Sequence, residues 1–113
     1  WKDGGKNDIC PAGFSVPTEA DLKAEETGNI QNINGAASSF LKIPAAGIRN
    51  EGAKSSFSDQ GDSAYLWVNT ASKTQPKRSV GLILRKPNVP KPSQAVFEAH
   101  QRTSGMNVRC VRK

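Results

Sequence analysis

AYLWVNT, residues 64–70, is the best strand candidate in the chain, since large apolar, aromatic and β-branched residues predominate in it. These residue types favour extended backbone because their side chains fit the pleated surface of a sheet. Two later segments have a similar character, SVGLILR at 79–85 and QAVFEA at 94–99. Three prolines in residues 86–93 make that connection a loop. We therefore predict a cluster of antiparallel strands, with a last strand over the alternating segment 106–112.

Helices are predicted only in the N-terminal part of the chain. Thr18 is a good N-cap and Asp21 follows it three residues later, which predicts a helix over residues 18–27 that ends at Gly28. The dipeptide Asn34-Gly35 indicates a turn within the polar segment 28–35, and a short helical turn is expected over 36–40. Early helices followed by antiparallel strands predict an α+β fold, and 113 residues correspond to a single domain over 1–113.

The two cysteines, Cys10 and Cys110, lie near opposite ends of the sequence. They are either a disulfide or two separate buried thiols, and we favour the disulfide, which would join the termini. Zinc is disfavoured because two cysteines and one histidine cannot supply four ligands. A disulfide predicts a secreted or cell-surface protein, outside the reducing cytoplasm. No apolar stretch approaches the ~20 residues of a membrane helix, so we expect no membrane insertion.

Charge is distributed unevenly along the chain. Residues 1–62 contain 6 basic and 9 acidic residues, whereas residues 63–113 contain 10 basic residues and one acid, Glu98. The basic residues either solvate exposed surfaces or converge on a site for phosphate, sulfate or carboxylate groups. Nucleic acid is a disfavoured partner, because no aromatic-rich strand or basic helix is present. The candidate ligand-binding residues are the polar and cationic side chains of the late strands and loops: Lys73, Lys77, Arg78, Arg85, Lys86, Lys91, His100 and Arg102.

Three segments together resemble the Fibrobacter succinogenes major paralogous domain family. CPAGFSVPT at 10–18 resembles its "CPAGW-x-VPT" opening, LKIPAAGIRN at 41–50 resembles "LKLPAAGYRN", and GMNVRCVRK at 105–113 is similar to its closing "GFSVRCVKD". YLWVNT at 65–70 occupies the place of the family's "YYWSST" strand. Members usually carry sequence upstream of the first motif, so the chain is expected to be the C-terminal piece of a longer protein.

The resemblance implies a C-type-lectin-like fold of the calcium-independent kind, related to formylglycine-generating-type and retroelement-diversified receptor-binding domains. It implies a bacterial exported or surface protein. In that fold a cysteine near the first helix bonds one in the last strand, which agrees with the pairing favoured above. In the related diversified binders, the late strands and loops form the recognition surface. Residues 71–102 differ most from the family's usual composition, so ligand choice is expected to depend on them.

Calcium-dependent sugar binding is disfavoured by the residues at the corresponding motifs. KPN at 86–88 stands where true C-type lectins have EPN or QPD, and WVN at 67–69 keeps two of the three positions of WND. Calcium needs six to eight oxygens, several of them from carboxylates. Asp59 and Asp62 either hold a structural cation or stabilise a turn, and the turn is favoured. No metal or other cofactor is therefore predicted.

The remaining chemical candidates do not form a catalytic pattern. Trp67 is either a sugar-stacking platform or a packed side chain, and its apolar neighbours favour packing. His100 has no nucleophile pattern nearby, which favours a solvated loop histidine over a general base. We expect no enzymatic activity. The sequence predicts a calcium-independent recognition domain that adheres to an anionic glycan or protein partner, with a non-binding structural or assembly domain of a larger surface protein as the alternative.

Overall fold

Two helices and seven strands make up the part of the chain that the computed structural model describes, residues 5–26, 30–39, 41–51, 56–90 and 94–113. The helices come early and the longer strands late, so the predicted α+β class is confirmed. In chain order the elements are β1 (Phe14–Ser15), α1 (Glu19–Glu26), α2 (Ile33–Ser38), β2 (Ile48–Arg49), β3 (Phe57–Ser58), β4 (Ala64–Ala71), β5 (Arg78–Leu84), β6 (Ala95–Gln101) and β7 (Val111–Arg112).

The centre of the fold is an antiparallel sheet in the order β4-β5-β6. Successive side chains of a strand point to opposite faces, so each strand supplies two packing surfaces. On one face, Leu66, Val68, Leu82 and Leu84 pack against buried side chains from the region of the two helices and the segment after them. On the other face, a smaller cluster joins the sheet to β2 and to the segment after β6; its members are Ile48, Tyr65 and Ile83, with Val96 and Met106 beside them. Because β4 is buried on both faces, its sequence is an almost continuous apolar run.

The capping residues explain where the helices begin. Thr18 Oγ1 and its backbone N–H both donate to the Asp21 carboxylate, at 2.8 and 2.9 Å, and Asp21 N–H donates back to Thr18 Oγ1 at 3.2 Å. This reciprocal cap confirms the predicted start of α1. The prediction for the second helix was wrong by three residues. Asn32 Oδ1 accepts from the N–H groups of Asn34 and Gly35, so these two residues form the first turn of α2 instead of a separate turn.

The two ends of the domain are joined covalently and by backbone pairing. Cys10 and Cys110 form the predicted disulfide, with their Cα atoms 5.7 Å apart. Next to it, β1 pairs antiparallel with β7, Phe14 opposite Arg112. The predicted last strand over 106–112 was too long: only Val111–Arg112 is a strand. Before this strand, the backbone of Asn107 bonds to Tyr65 and Trp67 of β4. The C-terminal segment therefore contacts β4 first and pairs with β1 only at its end.

Two other features of the described residues bear on the predictions. The segment 41–49 is irregular until β2, which pairs with the short strand β3. Among the described residues, no helix has both the length and the apolar character needed to cross a bilayer.

Candidate functional site

A large bulge interrupts the pairing of β4 with β5. Trp67 pairs with Gly81, but the next pair along is Ala71 with Ser79. Three residues of β4 therefore lie opposite a single residue of β5, and the backbone of β4 bends away from its partner. The bend is held by the segment ahead of α1, because Asn69 N–H donates to Pro17 O at 2.8 Å and Thr70 Oγ1 accepts from Glu19 N–H at 3.4 Å. Bulges of this kind often re-aim side chains beside binding sites.

The bulge borders a cleft of about 340 Å³. Trp67 contributes to its lining although the residue is only 6% exposed, which agrees with the predicted packing role. Polar groups come from Asn69, Thr70 and Ser79, and one cation, Arg102, completes the wall. No carboxylate belongs to the lining that the described residues form. Such a surface offers amide and hydroxyl groups beside a guanidinium, a combination suited to a hydroxylated anionic ligand.

Four of the predicted ligand-binding residues lie at the same end of the sheet as the cleft. Lys73 and Lys77 are exposed in the connection between β4 and β5, and Arg78 begins β5. Arg102 follows β6, and its N–H donates to Lys77 O at 3.4 Å. The backbones that carry these cations are therefore neighbours, because the β4–β5 connection and the end of β6 meet here.

The other predicted cations do not join this group. Arg85 and Lys86 follow the opposite end of β5, roughly 20 Å away for seven residues at a rise of about 3.4 Å each. Lys86 forms an ion pair with Asp62, which offsets its charge locally. Lys91 lies outside the described residues. The structure thus brings four of the predicted residues together and leaves Arg85 and Lys86 apart from them.

The expectation of a solvated loop histidine was wrong. His100 belongs to β6, which extends to Gln101 and so beyond the predicted end at residue 99. Its side chain is 19% exposed and packs edge-on against the Tyr65 ring at 6.1 Å between centroids. Burial lowers the pKa of His100 below its usual value, against the opposing effect of Glu98, whose Oε2 lies 3.7 Å from Nε2. The imidazole is therefore neutral at pH 7, and it contributes no charge to the basic end of the sheet.

The two aspartates of the loop before β4 are each engaged by a different partner. Tyr65 donates a hydrogen bond of 2.6 Å to Asp59, and burial together with this bond raises the pKa of Tyr65 to about 12. Asp62 pairs with Lys86, and its N–H donates to Asp59 O at 3.1 Å. The backbone therefore turns at residues 59–62, but the two carboxylates contact Tyr65 and Lys86, which lie outside the turn. Within the described part of the chain, no group of three or more His, Cys, Asp or Glu side chains is arranged to hold a metal ion.

Sequence reasoning missed Asn69, Thr70 and Ser79 as lining residues of the cleft. The signal was present in part: Asn69 and Thr70 are the polar end of an otherwise apolar strand. The bulge itself has no such signal, because it arises from the register between two strands. No protein-family model, curated protein or solved structure matches the chain. The cleft and the cations around it are therefore the features that bear on function.

Proposed function

We propose that this protein is a calcium-independent recognition domain that binds an anionic glycan in the cleft beside the β4 bulge. The observation that carries the proposal is that Arg102 lines the cleft while Lys73 and Lys77 lie exposed on the adjoining connection. None of these three side chains has an ion-pair partner among the described residues. Their charge is therefore available to an external anion.

The chemistry of the lining favours a sugar that carries sulfate or carboxylate groups. A guanidinium donates two parallel hydrogen bonds to such a group, which makes Arg102 the orienting residue. Asn69, Thr70 and Ser79 offer groups that can both donate to and accept from sugar hydroxyls. Lys73 and Lys77 add long-range attraction that accelerates encounter and weakens with salt. The proposed binding does not use calcium, since the lining residues that the structure describes include none of the carboxylates that calcium needs.

The proposal extends to the fold family and the location of the protein. The motifs at 10–18, 41–50 and 105–113 resemble the Fibrobacter succinogenes major paralogous domain family, and we propose the C-type-lectin-like fold that this resemblance implies. The Cys10–Cys110 disulfide supports a secreted or surface location, since such bonds persist in oxidising compartments. Recognition at a bacterial surface, in adhesion, is the role that these features favour together. No catalytic role is assigned to His100, whose ring packs against Tyr65.

The test is a binding titration with a fluorescein-labelled heparin octasaccharide, against fluorescein-labelled maltooctaose, an octasaccharide whose sugars carry neither sulfate nor carboxylate. Arg102→Gln is expected to weaken binding at least about tenfold, the effect of losing a charged hydrogen bond of about 1.5 kcal/mol. Lys77→Gln is expected to cost less and to reduce the salt dependence of binding. Lys42→Gln is the matched control, because Lys42 is an exposed cation that follows α2, and its Nζ donates to Ser38 O at 3.3 Å.

Several outcomes would contradict the proposal. Equal losses in Arg102→Gln and Lys42→Gln would show that only net charge matters. Binding whose affinity does not change with salt concentration, or that is equally strong for the heparin probe and the uncharged maltooctaose, would exclude the electrostatic part. Absence of binding to either probe would favour the structural or assembly domain instead.

A further inference from the structure

The outer edge of β6 carries backbone groups that have no partner in the sheet. In an antiparallel pair, residues alternate between those that bond across to the neighbouring strand and those whose N–H and C=O point away from it. Arg85 N–H donates to Gln94 O at 2.7 Å, and Arg102 N–H donates to Lys77 O. Because Gln94 and Arg102 bond across to the β5 side, these two bonds show which residues of β6 face β5. The even-numbered residues of β6 bond to β5, and Ala95, Phe97, Ala99 and Gln101 point outward.

Most of this outward row is open among the residues that the structure describes. Gln101 O accepts from Ser104 N–H at 3.0 Å, and Ala99 O accepts from Arg78 Nη1 at 3.1 Å. The backbone of Phe97 and the N–H of Ala99 have no hydrogen-bond partner among the described residues. An edge of this kind is a template for a further strand.

β6 also lacks the usual protections of an edge strand. Proteins commonly guard such edges with proline, lysine, a bulge or a very short strand. The seven residues AVFEAHQ contain no proline and no lysine, and their register with β5 is continuous from Ala95 to Gln101. The one charged side chain of the strand, Glu98, lies on an even position, on the face opposite to Phe97. The edge is therefore both long and regular enough to pair over several residues.

We propose that the β6 edge binds an extended, acidic segment of a partner protein, which adds to the sheet as a fourth strand. Backbone hydrogen bonds of this type supply affinity, and the flanking side chains supply selectivity. Arg78 already lies at this edge through its bond to Ala99 O, and Lys77 is its exposed neighbour in the chain. Acidic side chains on the incoming strand would meet these two cations.

Charge also argues against a second copy of the chain as the occupant. Antiparallel pairing of two β6 edges would bring the end with Arg78 and Arg102 of one copy towards the end with Arg85 of the other. Like charges would then face each other at both ends of the pair. This inference goes beyond the proposed function and does not use the cleft, so either can fail without the other.

The first experiment measures amide hydrogen exchange along β6 by NMR, with the peptide acetyl-(Val-Asp)₄-amide as the probe. In the free protein, Val96, Glu98 and His100 are expected to be protected by their bonds to β5, whereas Phe97 and Ala99 exchange fast. Addition of the peptide is expected to slow exchange at Phe97 and Ala99 at least about tenfold. Unchanged exchange at these two amides overturns the proposal, as does equal binding of acetyl-(Val-Lys)₄-amide.

The second experiment compares Ala99→Pro with Ala99→Ser. Proline removes the outward N–H and leaves the β5–β6 bonds intact, since residue 99 does not bond to β5. Ala99→Pro is expected to weaken binding of the acidic peptide at least about fivefold, from the loss of one backbone hydrogen bond of about 1 kcal/mol, whereas Ala99→Ser changes it less than about twofold. Equal affinities overturn the proposal. If the free protein sediments as a dimer and the amides of Phe97 and Ala99 are already protected from exchange, the edge binds a second copy of the chain instead. If Ala99→Pro does not fold, the exchange experiment on the unaltered chain decides.

Discussion

Removal of the Cys10–Cys110 bond is expected to cost at least about a third of the net stability of the domain. The two cysteines are 100 residues apart in sequence, so the bond closes nearly the whole chain into one loop. In the chain-entropy model, a loop of about this size restricts the unfolded state by about 4.7 kcal/mol at 25 °C. Domains of ordinary stability unfold with only 5–15 kcal/mol. The variant Cys10→Ala/Cys110→Ala should therefore be close to the limit of folding.

The measurement is urea unfolding at equilibrium, followed by far-UV circular dichroism. The midpoint should fall and the slope should rise, because the unfolded chain without the cross-link exposes more surface. If the variant is already unfolded in water, its refolding can be followed by titration with a stabilising osmolyte, and extrapolation to zero osmolyte gives the free energy of unfolding in water. β1 and β7 still pair in the folded variant, so its native spectrum is expected to be unchanged.

Single variants provide the control. Cys10→Ala and Cys110→Ala each remove the same bond, so each alone should cost nearly as much as the double variant. Additive losses, or a loss below about 1.5 kcal/mol for the double variant, would refute the argument that loop closure stabilises this fold.

Three further predictions concern the region around the sheet. Gly47 has φ 73°, and an added Cβ would collide with the backbone of β3, so Gly47→Ala should lower the free energy of unfolding in urea by at least about 2 kcal/mol. Gly61 has a similar φ of 79° but open space around it, so Gly61→Ala should cost about 1 kcal/mol. Equal losses in the two variants would exclude the collision. Tyr65→Phe should lose about 1 kcal/mol at pH 7 with the bond to Asp59. Because the pKa of Tyr65 is raised to about 12, the unfolded chain ionises first near pH 10, so stability should fall between pH 10 and 12 in the parent protein and less in Tyr65→Phe. The lowered pKa of His100 means that the unfolded chain binds a proton first as the pH falls below 6.5, so stability should decline from there and His100→Gln should flatten that decline; identical pH profiles would contradict the burial of the imidazole.

The elements that could be predicted from the sequence are those whose cause is local. The cap of α1 was readable because Thr18 and Asp21 are three residues apart and bond to each other. The three long strands were readable from composition and from the prolines between the last two. The prediction of a turn at Asn34-Gly35 was wrong because this dipeptide is compatible with either a turn or the first turn of a helix. The side chain of Asn32 caps α2 and so favours the helix.

The candidate site shows the opposite case. Lys77 and Arg102 are 25 positions apart in the chain, and only the pairing of β5 with β6 makes their backbones neighbours. Lys86 was indistinguishable in sequence from the other cations, yet it is paired with Asp62, a residue of the acidic N-terminal half. The environment of His100 differs from the predicted loop because β6 continues two residues beyond the predicted end, which places the His100 ring against Tyr65.

An α+β chain and a favoured bond between its two cysteines could be predicted from the sequence alone, because residue propensities, helix caps and the cysteine count act without reference to the rest of the fold. The folded arrangement of the chain sets which cations share a surface, where a cleft opens and which edge of the sheet is left unpaired. Those properties follow from strand register and from the bulge after Trp67, which depend on contacts between distant parts of the chain and leave no periodic pattern in it.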